Sequence, residues 1–117
     1  MRPRGNKYSA TRTTCALGHK HASKRQATRC DELHLLQAAG EIEDLQIEPQ
    51  FWFEIGGEVI KHQNGRRVGY KPDFSYRERG AHVVEDVKGG PTMTEAATLR
   101  MTLFRALFPL HELRVVR

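Results

Sequence analysis

The stretch KPDFSYRERGAHVVEDVKG, residues 71–89, decides the fold of this chain. Its two halves alternate apolar and polar residues with period two around Arg79-Gly80, a turn signal, and so predict a pair of antiparallel strands. Strand side chains point alternately to opposite faces. Asp86 and Lys88 therefore share one face, while Glu85 and Val87 take the other, where Glu85 is expected as a solvated strand residue. Asp73, on the preceding strand, is expected within a few ångströms of Asp86 across the ladder.

Working outward, the same period runs upstream. Leu45, Ile47, Phe51, Phe53 and Ile55 alternate with Gln46, Glu48, Trp52 and Glu54, and Pro49 interrupts the run or marks an edge. Gly56-Gly57 predicts a hairpin into Glu58-Val59-Ile60-Lys61, and Asn64-Gly65 a second turn, followed by a strand from Val68 to Tyr76. His82–Lys88 is the fourth strand, stopped by Gly89-Gly90-Pro91. Two helices flank this β region. The first opens at Ser23 with the capping box Ser23-Lys24-Arg25-Gln26, buries Ala27, Cys30, Leu33 and Leu36, and stops at Gly40. The second opens with Thr92-Met93-Thr94-Glu95, turns Ala96, Leu99, Leu103, Phe104 and Leu107 inward, and closes at Pro109. Leu113-Arg114-Val115-Val116 is a last strand. The order α-β-β-β-β-α-β predicts a single α/β (α+β) domain over residues 23–117, with a mixed central sheet and flanking helices.

Composition narrows the function classes. A chain of 117 residues fits one domain, and no apolar run approaches the roughly 20 residues that span a membrane. The N-terminal stretch lacks the apolar segment of a secretory signal, so a soluble intracellular protein is expected. Two cysteines are too few for a disulfide framework. The net charge of +5 is unevenly spread: residues 1–30 carry +8 and no acid, and the remainder −3. Residues 1–22 read as a flexible basic arm, and Arg2, Arg4, Lys7, Arg12, Lys20, Lys24 and Arg25 are the expected DNA contacts.

The chemistry rests on Asp73, Asp86 and Lys88. Phosphodiester hydrolysis needs a hard divalent cation held by one or two carboxylates, and a nearby ammonium to orient water or stabilise developing charge. Two aspartates and a lysine supply those groups. Other candidates are weaker. Cys15, His19, His21 and Cys30 match no common structural zinc spacing, and Cys30 falls on the inner helix face. Phe51, Trp52 and Phe53 read as core and edge aromatics rather than a stacking platform. Arg100 and Arg105 either contact phosphates or coat the outer face of the second helix.

Asp73 followed by Asp86-Val87-Lys88, on adjacent strands behind an N-terminal helix, resembles the pattern of the PD-(D/E)XK nucleases. Nearly the whole chain is similar to small phage proteins of that superfamily that resemble Holliday-junction resolvases. The matching stretches are Asn6-Lys7-Tyr8, Ala22-Ser23-Lys24, Glu32-Leu33, Ala39-Gly40-Glu41-Ile42, Asp73-Phe74-Ser75-Tyr76 and Val84–Gly89. The resemblance implies a Mg2+ site (Mn2+ substituting) made by Asp73, Asp86 and the Val87 carbonyl, with Lys88 near the attacking water. It also implies a homodimer acting on four-way DNA junctions in the cytoplasm of a phage-infected bacterium. A further acid from the first helix is expected to complete the site, and here the chain departs from the pattern: Gln26 stands where related proteins tend to carry Glu. Gln26 and Glu32 lie about 240° apart around a helix. Either Glu32 reaches the metal, or Gln26 serves as a weaker, neutral oxygen ligand, or Gln26 is an engineered, inactivating change.

Overall fold

A computed structural model describes residues 13–16, 18, 20–21, 23–88 and 93–117. Arg2, Arg4, Lys7 and Arg12, the first cations expected to hold DNA, lie outside them. The start of the first helix follows from capping chemistry. The Ser23 hydroxyl accepts a hydrogen bond from the Gln26 amide at 3.1 Å and so occupies one of the donors a helix start leaves open. Helix α1 then runs Lys24–Ala38 and turns Ala27, Cys30 and Leu33 inward. Ahead of it, within the segment expected as an arm, β1 (Thr13–Thr14) pairs antiparallel with β2 (Lys20–His21). This short hairpin meets α1 through Cys15, which is buried in the same core, and through the Ala16 amide on Asp31 Oδ1 at 2.7 Å.

Four strands make the main sheet: β3 (Glu43–Ile47), β8 (Phe74–Glu78), β9 (Ala81–Val87) and β10 (His111–Val116). Their order is β10-β9-β8-β3, antiparallel except for the parallel β9–β10 pair. Mixed pairing follows from connectivity: a two-residue turn can only return antiparallel, whereas α2 (Glu95–Leu107) carries the chain back for a parallel strand. At the β8–β9 turn Arg79 and Gly80 both have positive φ, 52° and 81°, the combination a type I′ hairpin demands. That turn fixes Glu78 opposite Ala81 and Phe74 opposite Glu85; one step further, Asp73 falls opposite Asp86.

Between β3 and β8 the chain builds a smaller β assembly. Here β4 (Phe51–Trp52) pairs with β7 (Gly69–Tyr70), β5 (Glu54–Ile55) pairs with β6 (Glu58–Val59) across Gly56-Gly57, and Lys61 bridges Arg67. The expected single strand from Val68 to Tyr76 is two pieces. Pro72, fully buried, has no amide to donate to a ladder, so pairing lapses and resumes at Phe74.

Two cores lie on opposite faces of the sheet. On one, Ala27, Cys30 and Leu33 of α1 pack on Phe74, Tyr76 and Val83. On the other, Met101 and Phe104 of α2 pack on Val84, Phe53 and Tyr70. Burying one such phenylalanine contributes about 1.5–3 kcal/mol relative to leaving it in water. The second helix differs from expectation in two details. Its cap is Thr94, whose hydroxyl accepts from the Ala97 amide at 3.1 Å, two residues after the threonine expected to open it. The inner stripe keeps Leu103, Phe104 and Leu107 and adds Met101, whereas Ala96 is exposed and Leu99 is 57% exposed.

Candidate active site

Strand alternation sends consecutive residues of β9 to opposite faces, and the two acids there meet opposite fates. Asp86 points to the α2 side, 7% exposed. Its Oδ2 accepts the Tyr70 hydroxyl at 2.5 Å, and Lys88 Nζ stands 3.2 Å from its Oδ1. Asp73, at the lip of β8, accepts the Val87 amide on Oδ2 at 2.6 Å and lies within hydrogen-bonding reach of the Asp86 carboxylate. Its own amide donates to the Glu85 carbonyl at 3.0 Å, which ties it to the strand that carries its partner.

Burial pushes the Asp73 carboxyl up to about 7, and the Asp86 charge beside it pushes the same way, against the downward pull of the Val87 amide and Lys88. Burial, with the bond to Asp86, also raises the Tyr70 hydroxyl, so it is a donor at neutral pH. Because Asp73 sits above its ordinary value in the folded chain, folding favours its protonated form. The stability this contributes is complete below 3.8 and is lost as pH rises through about 7. Thermal melts in metal-free buffer are therefore expected to move down between about pH 4 and about pH 7, with a flatter slope in Asp73→Asn. His111, lowered by burial and by His82, works in the opposite sense as pH falls, so the comparison is between the two proteins. Equal slopes in the pair would assign the effect to groups other than Asp73.

Asp73, Asp86 and Lys88 line one pocket of about 630 Å³. Its other walls include Arg66, Arg67, Lys71 and Arg100, so cations outnumber the two acids on its lining. Arg100 thus faces the pocket, and Arg105 is exposed on the same helix. Among the described residues no group of three or more His, Cys, Asp or Glu converges to hold a metal. Two carboxylates, both oxygen donors and one driven to protonate by burial and by the other's charge, fit a hard cation that keeps most of its waters, which is how Mg2+ is commonly bound.

The α1 side of β9 corrects one expectation. Glu85 does face away from the acids, but it is fully buried, not solvated. Arg29 of α1 reaches it with Nε at 2.8 Å and Nη2 at 2.7 Å, a bidentate pair, and the Tyr76 hydroxyl donates to it as well. Those bonds make a buried carboxylate tolerable.

The helix candidates for a third acid lie apart from the pair. Glu32 is exposed, accepts from Arg29 Nη1 at 2.9 Å, and lines a groove with Lys24, Arg25, Thr28, Val87, Val116 and Arg117 rather than the pocket of Asp73 and Asp86. Gln26 is buried in the first turn of α1. Lys24 and Arg25 belong to the Glu32 groove, and Lys20 contributes backbone to β2. For Val87, the backbone group that meets the site is the amide on Asp73. Cys15 and Cys30 are buried, and burial, with the Cys15 thiol bonded to it, raises the Cys30 thiol to about 12. The side chains of His19 and His21 lie outside the described residues.

Two pocket residues escape a sequence reading. Tyr70 looks like one more aromatic on an alternating strand, and only the fold brings its hydroxyl to Asp86. Trp52 proves neither core nor plain edge: Phe53 is buried and Phe51 packs on Phe104 and Phe108, but Trp52 is 41% exposed on the pocket wall. The run His62-Gln-Asn-Gly-Arg-Arg67 was the available signal for that wall, a turn with two arginines at its exit.

A family model described as "Protein of unknown function (DUF1064)" matches residues 5–117. No curated protein and no solved structure matches the chain. No described helix is long and apolar enough to cross a membrane.

Proposed function

The chain belongs to the DUF1064 family, and we propose from the chemistry of its pocket that it is a metal-dependent endonuclease that hydrolyses phosphodiester bonds in branched DNA, a resolvase of four-way junctions. The observation that carries this reading is the convergence of Asp73, Asp86 and Lys88 on one wall of a cation-rimmed pocket. Asp73 and Asp86 would hold Mg2+, or Mn2+ in its place. When bound, such an ion neutralises charge on a phosphate and lowers the pKa of water.

The chain's own groups supply the rest. Arg66, Arg67, Lys71 and Arg100 draw in the phosphate backbone without reading sequence. Tyr70 holds one oxygen of Asp86, which fixes the carboxylate's rotation. Lys88 stands beside the other oxygen, where an ammonium can stabilise the charge that develops on phosphate as the bond to the leaving oxygen breaks. The basic segment before α1 adds sequence-independent affinity. Symmetric cuts in a junction require two such sites, so the working form is a two-fold dimer.

The test is cleavage of a synthetic four-way junction against matched linear duplex, with Mg2+ or Mn2+, by the chain and by Gln26→Glu. Paired cuts by the chain are expected. Cuts in both substrates alike would leave a less specific nicking or end-processing nuclease. The separation of Glu32 from the acid pair, together with Gln26 in place of an acid, favours one alternative, a DNA-binding accessory protein with a disabled site. Salt-sensitive binding without cleavage, or cleavage by Gln26→Glu alone, would establish that alternative.

A further inference from the structure

The pocket wall also carries an aromatic ring that the proposed hydrolysis does not use. Trp52, the chain's only tryptophan, lies on its wall with 41% of its surface exposed. The ring is held from two directions. Its ladder partner is Gly69, where a Cβ would come within 2.9 Å of Trp52 Cε3 and 2.4 Å of the Phe51 carbonyl oxygen. Glycine alone leaves the indole room there. From another side the Arg67 guanidinium stands 4.7 Å from the ring centroid, within cation–π range. Among the described residues, neither Arg66 nor Arg67 has a carboxylate partner.

The turn that carries Arg67 is itself ordered. His62 donates to the Arg66 carbonyl at 2.7 Å, Gly65 to the His62 carbonyl at 2.9 Å, and Arg66 to the Asn64 side chain at 2.9 Å. An indole and a guanidinium, both planar and partly open to water, thus share a cavity with the acid pair. A flat π-surface is the ligand that matches them, since bases stack on tryptophan rings and on arginine planes alike. Inside a continuous duplex both faces of a base are covered by its neighbours. A base must leave the stack to lie on such a surface, and one already unpaired does so at the least cost.

We propose that Trp52 and Arg67 form a stacking platform for an unpaired DNA base next to the phosphodiester held at Asp73 and Asp86. The position of that phosphodiester rests on the nuclease reading above; the stacking itself does not. The platform makes a displaced nucleotide, as at a branch point, gap or flap, the feature that is recognised, and makes recognition tolerant of sequence because every base has a π-face.

The experiment titrates the full chain, in Ca2+ without Mg2+, with three labelled probes: a short duplex containing one unpaired thymidine, the same duplex fully paired, and single-stranded oligothymidine. Trp52 emission and probe anisotropy are read together. Quenching is expected with the unpaired and single-stranded probes and not with paired duplex. Trp52→Leu is expected to weaken binding of the unpaired probe about tenfold while paired duplex binds as before. Trp52→Phe, which keeps a ring, restores most of the difference and guards against a folding defect in the leucine variant. Binding of all probes alike, without quenching and without a Trp52→Leu effect, overturns the platform; Mg2+ cleavage in the same samples then judges the nuclease reading separately. Quenching and discrimination with no cleavage in Mg2+ or Mn2+ upholds the platform and removes the nuclease. Failure to bind any probe at low salt overturns both.

Discussion

Asp86→Asn is expected to lower metal-dependent cleavage by about 10²–10³-fold or more, the scale for losing one preorganised charged group, while leaving the metal-free protein at least as stable. The second half follows from the geometry of the pair. Asp73 and Asp86 stand within hydrogen-bonding reach, and the charge on one raises the cost of ionising the other. An asparagine keeps an acceptor for the Tyr70 hydroxyl, removes the repulsion and can donate to Asp73. A gain of about 0.5–2 kcal/mol is the size found when a strained functional group is relaxed. Single-turnover cleavage and a thermal melt on the same preparation check both halves. Retained cutting would take Asp86 out of the chemistry, and a large fall in Tm would make it a structural residue.

Arg29→Met carries the largest expected loss of stability. Glu85 is fully buried, and Arg29 provides two of its hydrogen bonds from a helix on the far side of the core. Removing one member of a buried ion pair strands the other, at a cost of about 3–5 kcal/mol. For a domain of this size that lowers Tm by roughly 12 °C or more. The double variant Arg29→Met, Glu85→Met is expected to recover part of the loss, because two apolar side chains of similar volume need no partners, while the Tyr76 hydroxyl loses the acceptor that Glu85 gave it. Chemical denaturation of the parent, single and double variants measures the coupling. A loss in the double as large as in the single would mean that Arg29 acts through packing of its stem. Because the Glu85 carbonyl accepts the Asp73 amide, the single variant should also cut less well at temperatures where it remains folded.

Much of this architecture was legible before any coordinates. Arg79-Gly80 needs positive φ at both positions, and that local demand sets the register bringing Asp73 opposite Asp86. Ser23 announces α1 through its hydroxyl. What was not legible depends on partners far away in sequence. Glu85 on an alternating strand reads as solvated unless Arg29, 56 residues earlier, is known to face it. Tyr70 and Trp52 differ from other strand aromatics only in what the fold places beside them. In α2, Leu99 and Met101 are both apolar and lie about 160° apart around the helix, so which of them turns inward is decided by the sheet residues packed against it, and that core takes Met101. A third acid from α1 has no local signal in the residues themselves, and in the fold Glu32 is paired with Arg29.

The back-to-back placement of Glu85 and Asp86 also bears on how this chain can vary over generations. One neighbour locks the sheet to a helix and the next lines the pocket, so a shift of β9 by a single position exchanges their environments. The pocket acid would then be driven into the α1 core, where its side chain is one methylene shorter than the glutamate that Arg29 reaches, and the locking acid would be turned out into the pocket. A length change of one residue in the β8–β9 turn therefore strikes folding and chemistry together, whereas the Asn64-Gly65 turn, away from that ladder, can drift in length at much smaller cost. Divergence among descendants of this sequence should accumulate in the outer turn and leave the Arg79-Gly80 spacing alone.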